Sequence, residues 1–389
     1  MSEVTPAGRP LRVAIIGTAA RSTYMFGRLL PVLADEVELV AVWGRSEPPA
    51  RRLGKSLSAP WYTDLDRLVR ETAPEIGIVC VSGKANDEVG LVAVQAGMNV
   101  LLETPIANDL AVADEIIATA ARNGTRIEVS EQFHRRPLEA LKLRLIDSGL
   151  FGTVYSSFND FGGHGYHGVS LMRSYLGFDA VPVRVTGSAR EYRLAPQWSR
   201  IHDTTDGRTE TQEHGIVEFA DGRLGLFHWT NVGYDSPLRW WRSSRFLAEN
   251  GMGITVGVGL DVHEQLSLLA PGGEAPLFMT IERRLERVDG GSLVAMVAHT
   301  GDRDLPIVRW DNPFADALSR HGVEWHDDEI GVAGCLMSLV DAVRDDTEPT
   351  YGPLQGRLDQ EIILALRQSS ADGGHPVALP LGRGEVRRP

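Results

Sequence analysis

The sequence predicts an α/β domain built on a doubly wound parallel sheet, followed by an α+β domain with a large, open and mainly antiparallel sheet. Three observations predict it. Val- and Ile-rich runs, LRVAIIG, VELVAVWG, IGIVCVSG and MNVLLET, alternate with helix-patterned segments through the first third of the chain. Beyond about residue 185, polar/apolar alternation replaces that rhythm, as in GIVEFADGRLGLFHWTNV and LPIVRW. The chain has 389 residues, 43% of them hydrophobic, enough for two separately cored domains.

The elements follow in order. LRVAIIG is a β-branched run closed by Gly17, and RSTYMFGRLLPVLA places Met25, Leu29, Leu30 and Leu33 on one helical face. VELVAVWG is followed by the helix-like EPPARRLGKSL, and IGIVCVSG by NDEVGLVAVQAG before MNVLLET. Strands buried on both faces read as unbroken apolar runs, and parallel neighbours need crossover helices, so the sheet is parallel. In the later part, ADGR reads as a hairpin turn, and PLEALKLRLIDSG and GVSLMRSYLG as helices packed on the second sheet. DEIGVAGCLMSLVDAVRDD and GRLDQEIILALRQSSA supply two late helices to that second domain.

Charge narrows the function. A net charge of −13 without any lysine/arginine run argues against nucleic-acid and membrane-surface partners. The opening MSEVTPAGRP lacks the basic start and apolar core of a signal peptide, so a cytoplasmic protein is expected. Cys80 and Cys335 lie in apolar patterns and read as core thiols. The lysines are Lys55, Lys84 and Lys142 alone, which makes lysine chemistry easy to trace.

The strand-to-helix turn IIGTAARS offers free backbone N–H groups and a positive helix end to a pyrophosphate, with Gly17, Ala19 and Ser22 in a degraded G-x-G-x-x-G pattern. The second strand ends in Gly44-Arg45-Ser46, with no acid for a ribose 2′-hydroxyl. Arg45 and Ser46 suit a 2′-phosphate, favouring NADP over NAD; a solvated loop arginine is the plain alternative. VSGKAND adds Ser82 and Lys84 at another tip on the ligand edge of the sheet. The expected boundaries are residues 1–133 for the dinucleotide-binding domain and 134–389 for a substrate-binding and oligomerisation domain.

The turn, AGMNVLLETP, EQFHRRPLEALKLRLIDSGLFGTV, GYHGVSLMRSYLG and LVDAVRDDTEP, in that order, resemble the Gfo/Idh/MocA oxidoreductases over nearly the whole chain. The resemblance implies a Rossmann domain, a C-terminal open sheet serving a homodimer or homotetramer, and hydride transfer between a nicotinamide and a sugar, sugar derivative or cyclitol. It implies no metal. It aligns Glu103, Thr104 and Pro105, at an exposed strand tip, with the family's Glu-Lys-Pro, so threonine stands where a lysine is usual. Counted back from Gly177, His167 takes the catalytic histidine position and Gly163 that of the usual aspartate. Through EQFHRRP it makes His134 and Arg135 substrate contacts, with interdomain salt bridging as the alternative.

A threonine hydroxyl cannot replace an ammonium as proton donor near neutral pH. NDFGGHGYHG instead concentrates Asp160, His164, Tyr166 and His167, able together to accept and return a proton, with His167 first. Helix capping and solvation are the alternatives for the two histidines. A metal held by His164, His167 and Asp160 or His214 matches no recognised zinc spacing. Trp229, Trp240 and Trp241, with Arg242 and Arg245, offer aromatic faces to a sugar ring, or fill a core. Two other readings keep the fold: a lyase, epimerase or glycosidase working through a transient keto-sugar, and a non-catalytic nucleotide or sugar sensor.

Overall fold

A computed structural model describes residues 9–381 apart from 82, 84, 162–163, 200–202, 234, 237–240, 259–260, 270–272 and 287–291. The side chains of 161, 241–242, 258 and 261–264 are likewise outside the description.

In chain order the early strands are β1 (Leu11–Ile16), β2 (Val37–Trp43), β3 (Trp61–Tyr62), β4 (Ile76–Val79), β5 (Asn99–Leu102) and β6 (Ile127–Val129). Between them run α1 (Gly27–Val32), α2 (Glu47–Ser56), α3 (Leu65–Thr72), α4 (Ala85–Gln95) and α5 (Leu110–Asn123). Next come α6 (Pro137–Asp147), β7 (Val154–Phe161), α7 (Gly165–Leu176), β8 (Pro182–Trp198), β9 (Thr205–Phe219) and β10 (Leu224–Thr230). Strands β11 (Trp241–Ala248), β12 (Gly251–Val258), β13 (Asp261–Leu268), β14 (Leu277–Phe278), β15 (Thr280–Glu286), β16 (Ser292–His299) and β17 (Ile307–Asp311) follow. The chain closes with α8 (Ala315–His321), α9 (Asp327–Asp345), α10 (Pro353–Ala371) and β18 (Val377–Ala378).

Two compact units result. One gathers the chain up to Arg135 together with Pro313–Gln360, and the other holds Arg136–Glu286, Leu293–Asn312 and the chain from Glu361. The first carries a six-stranded parallel sheet in the order β3-β2-β1-β4-β5-β6. Its central strands are apolar and fully covered, as the sequence predicts: Val13, Ile15, Ile78, Val100 and Leu101 are inaccessible. The first helical stretch is not one regular helix. A π-helical turn over Ser22–Phe26 runs into α1, which carries Pro31 and so lacks one backbone donor.

The simple cut at residue 133 is corrected by α9, which packs on β5 and β6 within the first unit. Its buried Cys335, Leu336, Leu339 and Val340 announce an apolar face, but such a face does not say which sheet it will cover.

The second unit holds, among the described residues, a nine-stranded sheet in the order β14-β13-β12-β11-β7-β10-β9-β8-β18, antiparallel except between β7 and β10. A three-stranded sheet, β15-β16-β17, accompanies it. The ADGR turn joins β9 to β10 as expected, with Gly222 at φ +86° and the Phe219 N–H donating to the Arg223 carbonyl at 3.0 Å. A Cβ at Gly225 would meet Met172 of α7, and one at Gly215 would meet Leu366 of α10, so both helices lie on one face of the sheet. Among the described residues, no helix is long and apolar enough to cross a membrane.

Candidate active site

In the first unit, Gly17 ends β1 at φ +127°, and a Cβ there would lie 2.1 Å from the Cys80 carbonyl oxygen, so only glycine fits. The Gly17 N–H donates to the Trp43 carbonyl at 3.0 Å, and the buried Ser22 hydroxyl donates to the Gly17 carbonyl at 3.2 Å. Ser22 therefore holds the turn itself. Above it opens a cavity of about 210 Å³ lined by Gly17, Thr18 and Ala19, by Trp43, Gly44 and Arg45, and by Val81, Ala85 and Val89. These residues belong to the tips of β1, β2 and β4 and to α4, the point in the sheet order where an open α/β sheet binds its ligand. Arg45 and Ser46 are exposed, and the Ser46 hydroxyl does not cap α2. The residues present fit a dinucleotide. Ser82 and Lys84 lie outside the described residues.

The strand tip at Glu103 differs from expectation. Glu103 is buried, and its carboxylate accepts from Arg21 Nε at 2.6 Å. Asn86 Nδ2 donates to the carbonyls of Glu103 at 3.1 Å and Pro105 at 2.6 Å, tying down the backbone around Thr104, which is half-buried. The sequence reading missed Arg21 and Asn86. A cation in the first turn of a helix opposes the helix dipole and calls for a carboxylate, and that signal was available for Arg21.

His134 and Arg135 are built into the packing of the first unit. Arg135 pairs with Glu128 and donates to the Gly334 carbonyl at 3.0 Å and to Thr350 Oγ1 at 2.7 Å. Burial pushes the Glu128 carboxyl up to about 7 despite that guanidinium. The His134 ring lies 5.2 Å from that of Tyr351, and burial, with Arg135 beside it, holds the imidazole well below its usual range. The unfolded chain, whose imidazole titrates near about 6.5, then binds more protons than the folded one as pH falls, so His134 costs stability on the acid side. Wild type is expected to lose stability relative to His134→Gln between pH of about 7.5 and 5.5 in urea titrations; parallel curves would remove His134 from the titration.

In the second unit the structure brings together His164, Tyr166 and His167, as the sequence suggested. Tyr166 stacks on His164 with ring centroids 5.3 Å apart and meets His167 edge-on at 4.6 Å. His164 is the exposed N-cap residue of α7, its ring making no capping bond, and its carbonyl accepts the His167 N–H at 3.1 Å. His167 is buried, with 6% of its surface accessible. Gly163 lies outside the described residues.

Asp160 does not join them. His228 pairs across the sheet with Asp160 and His214, and Gly225 and Phe227, which alternate with it, face α7, so all three side chains lie on the opposite, open face. Asp160 Oδ1 is 2.6 Å from His228 Nδ1, and the His228 and His214 rings stack at 4.5 Å. Burial and the neighbouring imidazole hold His214 below its usual range. These groups, with Phe158, Leu226 and Ile216, line a depression of about 650 Å³. Trp229 is half-buried and, by the same alternation, on the helix-bearing face; Arg245 lies over the Phe158 ring at 5.5 Å, and the side chains of Trp240, Trp241 and Arg242 lie outside the description. Among the described residues, no group of three or more His, Cys, Asp or Glu side chains, these included, is arranged to hold a metal ion.

A Rossmann unit with a glycine-forced turn at its switch point, joined to a unit with a large mixed sheet, defines a class of dinucleotide-binding proteins. Residues 11–131 match the model of the Gfo/Idh/MocA oxidoreductase family, NAD-binding Rossmann fold. The resemblance drawn from the motifs is borne out there. D-glucoside 3-dehydrogenase of Escherichia coli (strain K12) is 29% identical over 153 residues, 38% of this chain and 42% of that protein's length. Among solved structures, GenD2 from gentamicin A biosynthesis, in complex with NAD, superposes with a TM-score of 0.64 at 21% identity, covering 97% of this chain and 98% of that one. The WlbA dehydrogenase from Bordetella pertussis, in complex with NADH and UDP-GlcNAcA, gives 0.67 at 16%, covering 97% and 99%. Levoglucosan dehydrogenase, in complex with NADH and levoglucosan, gives 0.67 at 13%, covering 96% and 100%. At these identities the structural matches speak for the fold.

Proposed function

We propose that this protein is an NAD(P)-dependent oxidoreductase acting on a CH–OH group of a sugar, sugar derivative or cyclitol. The observation that carries the reading is the turn at Gly17, where no side chain fits and a cavity opens at the sheet's switch point. The sugar substrates named for the similar dehydrogenases support the substrate class.

In this reading the backbone at Gly17 and Ala19 holds the pyrophosphate, and Glu103, Thr104 and Pro105 border the nicotinamide. The bound nicotinamide supplies the site that accepts or gives a hydride. Proton movement is assigned to the His167 imidazole, which takes or returns a hydroxyl proton and is oriented by Tyr166 and His164. Thr104 positions without titrating. Its replacement by valine is expected to change affinities modestly and leave the pH profile of turnover in place; collapse of that profile would relocate the proton path to Thr104.

The exposed Arg45-Ser46 pair and the lack of an acid at the end of β2 support a preference for NADP. Arg45→Ala is expected to weaken NADPH binding by about 1.5–3 kcal/mol while leaving NADH nearly unchanged, as read by calorimetry. Equal affinities of wild type for both cofactors would remove the preference. The open sheet face, with exposed Ile216 and Leu224 beside Phe158 and Leu226, supports self-association through a second copy. Screening sugars and cyclitols for a change in nicotinamide absorbance tests the activity. Binding of nucleotide without net absorbance change but with conversion of the sugar would point to the redox-neutral reaction.

A further inference from the structure

We propose that the Arg21–Glu103 ion pair sets the relative affinity of the cleft for oxidised and reduced nicotinamide, an inference that rests on the dinucleotide reading above. The chain has no lysine at Thr104, so the strand tip lacks that cation. A different cation serves the same tip. Arg21 stands at the start of the helix that follows Gly17, and its Nε lies 2.6 Å from Glu103 Oε1. The two side chains are only 21% and 11% exposed, so water and salt screen the pair weakly.

The location is unfavourable for an arginine on local grounds, because the helix N-terminus repels a cation, and the carboxylate of Glu103 offsets that repulsion. Meanwhile Asn86 anchors the Glu103 and Pro105 carbonyls independently of the ion pair. Removing the Arg21 charge therefore leaves the backbone of the tip tethered and changes chiefly its electrostatics.

The oxidised nicotinamide ring carries a positive charge and the reduced ring carries none. With the pair intact, the Arg21 charge offsets that of Glu103, and the Asp328 carboxylate also acts on the guanidinium. Glu103 without its partner would favour the oxidised form, and Arg21 without Glu103 would favour the reduced form. Arg21 is thus a positioning and charge-balancing residue that acts through Glu103, leaving proton movement to other groups.

The test is calorimetric measurement of the dissociation constants of NAD⁺ and NADH, and of NADP⁺ and NADPH, with the full chain and three variants. In Arg21→Gln the ratio of reduced-form to oxidised-form Kd should rise about tenfold, and in Glu103→Gln it should fall by about the same factor. Arg21→Lys, which keeps the charge, should stay within about twofold of wild type. A merely structural role would weaken both redox forms alike, so an unmoved ratio in variants that still bind would overturn the inference. If Arg21→Gln does not fold, the Glu103→Gln ratio decides alone. Failure of wild type to bind any of the four nucleotides would instead overturn the dinucleotide reading, and this inference with it.

Discussion

Glu128→Ala is expected to destabilise the chain by about 3–5 kcal/mol, the cost of removing one partner from a buried ion pair. The carboxylate is inaccessible and receives Arg135, the Ser338 hydroxyl at 2.9 Å and the Tyr351 N–H at 3.2 Å. Deleting it strands a buried guanidinium and leaves the Tyr351 N–H unmet, which alone would cost about 1–3 kcal/mol, while the Ser338 hydroxyl keeps Thr350 Oγ1 at 2.8 Å. The effect reaches α9, because Arg135 also binds the Gly334 carbonyl and Ser338 sits on the same helix. Glu128→Gln keeps shape and acceptor oxygen and is expected to cost clearly less. Urea unfolding monitored by far-UV circular dichroism measures both. A loss below about 1 kcal/mol in Glu128→Ala would show that the pair contributes little beyond a surface bridge.

His167→Asn is expected to slow hydride transfer by about 10²–10⁴, the usual effect of losing a general acid or base, with dinucleotide affinity near normal. His167 is the buried member of the His164–Tyr166–His167 cluster, in ring contact with Tyr166. Asp160, on the open sheet face beside His228, is the residue whose loss should leave that step intact. His164→Ala should slow the step less than His167→Asn does. Single-turnover measurements at several pH values with cofactor prebound exclude binding and product release from the reading. Near-normal rates in His167→Asn would end the assignment, and a selective loss in Tyr166→Phe would move the acid role to the phenol.

Much of the first unit was legible because its strands are buried on both faces. Ile15, Ile78 and Leu101 lie in runs that no half-exposed strand would tolerate, and the crossover helices between them fix parallel order. Gly17 was legible for a related reason, since its backbone conformation excludes other residues. What escaped depended on long-range partners. Glu128 sits in the short apolar strand IEV, and nothing local says that Arg135, Ser338 and Tyr351 will surround it. The pairing of Arg21 with Glu103 spans 82 residues. Asp160 was grouped with His164 and His167 by proximity along the chain, yet strand residues alternate between faces, and its pairing with His228 places it on the open one. The allegiance of α9 was hidden because amphipathicity identifies a buried face without naming what covers it.

The central claim is that the cavity above Gly17 binds a nicotinamide dinucleotide. Ala19 lines that cavity and is half-buried, so a longer side chain there has room to extend while placing its charge in the cleft. Calorimetric titration of NADH and NADPH into wild type and Ala19→Glu, with melting curves as a check on folding, tests the claim directly. The account predicts one bound nucleotide per chain in wild type and a loss of at least about tenfold in affinity in a stably folded Ala19→Glu, because the introduced carboxylate repels the pyrophosphate. Equal affinity in both proteins, or no binding to wild type, would contradict it.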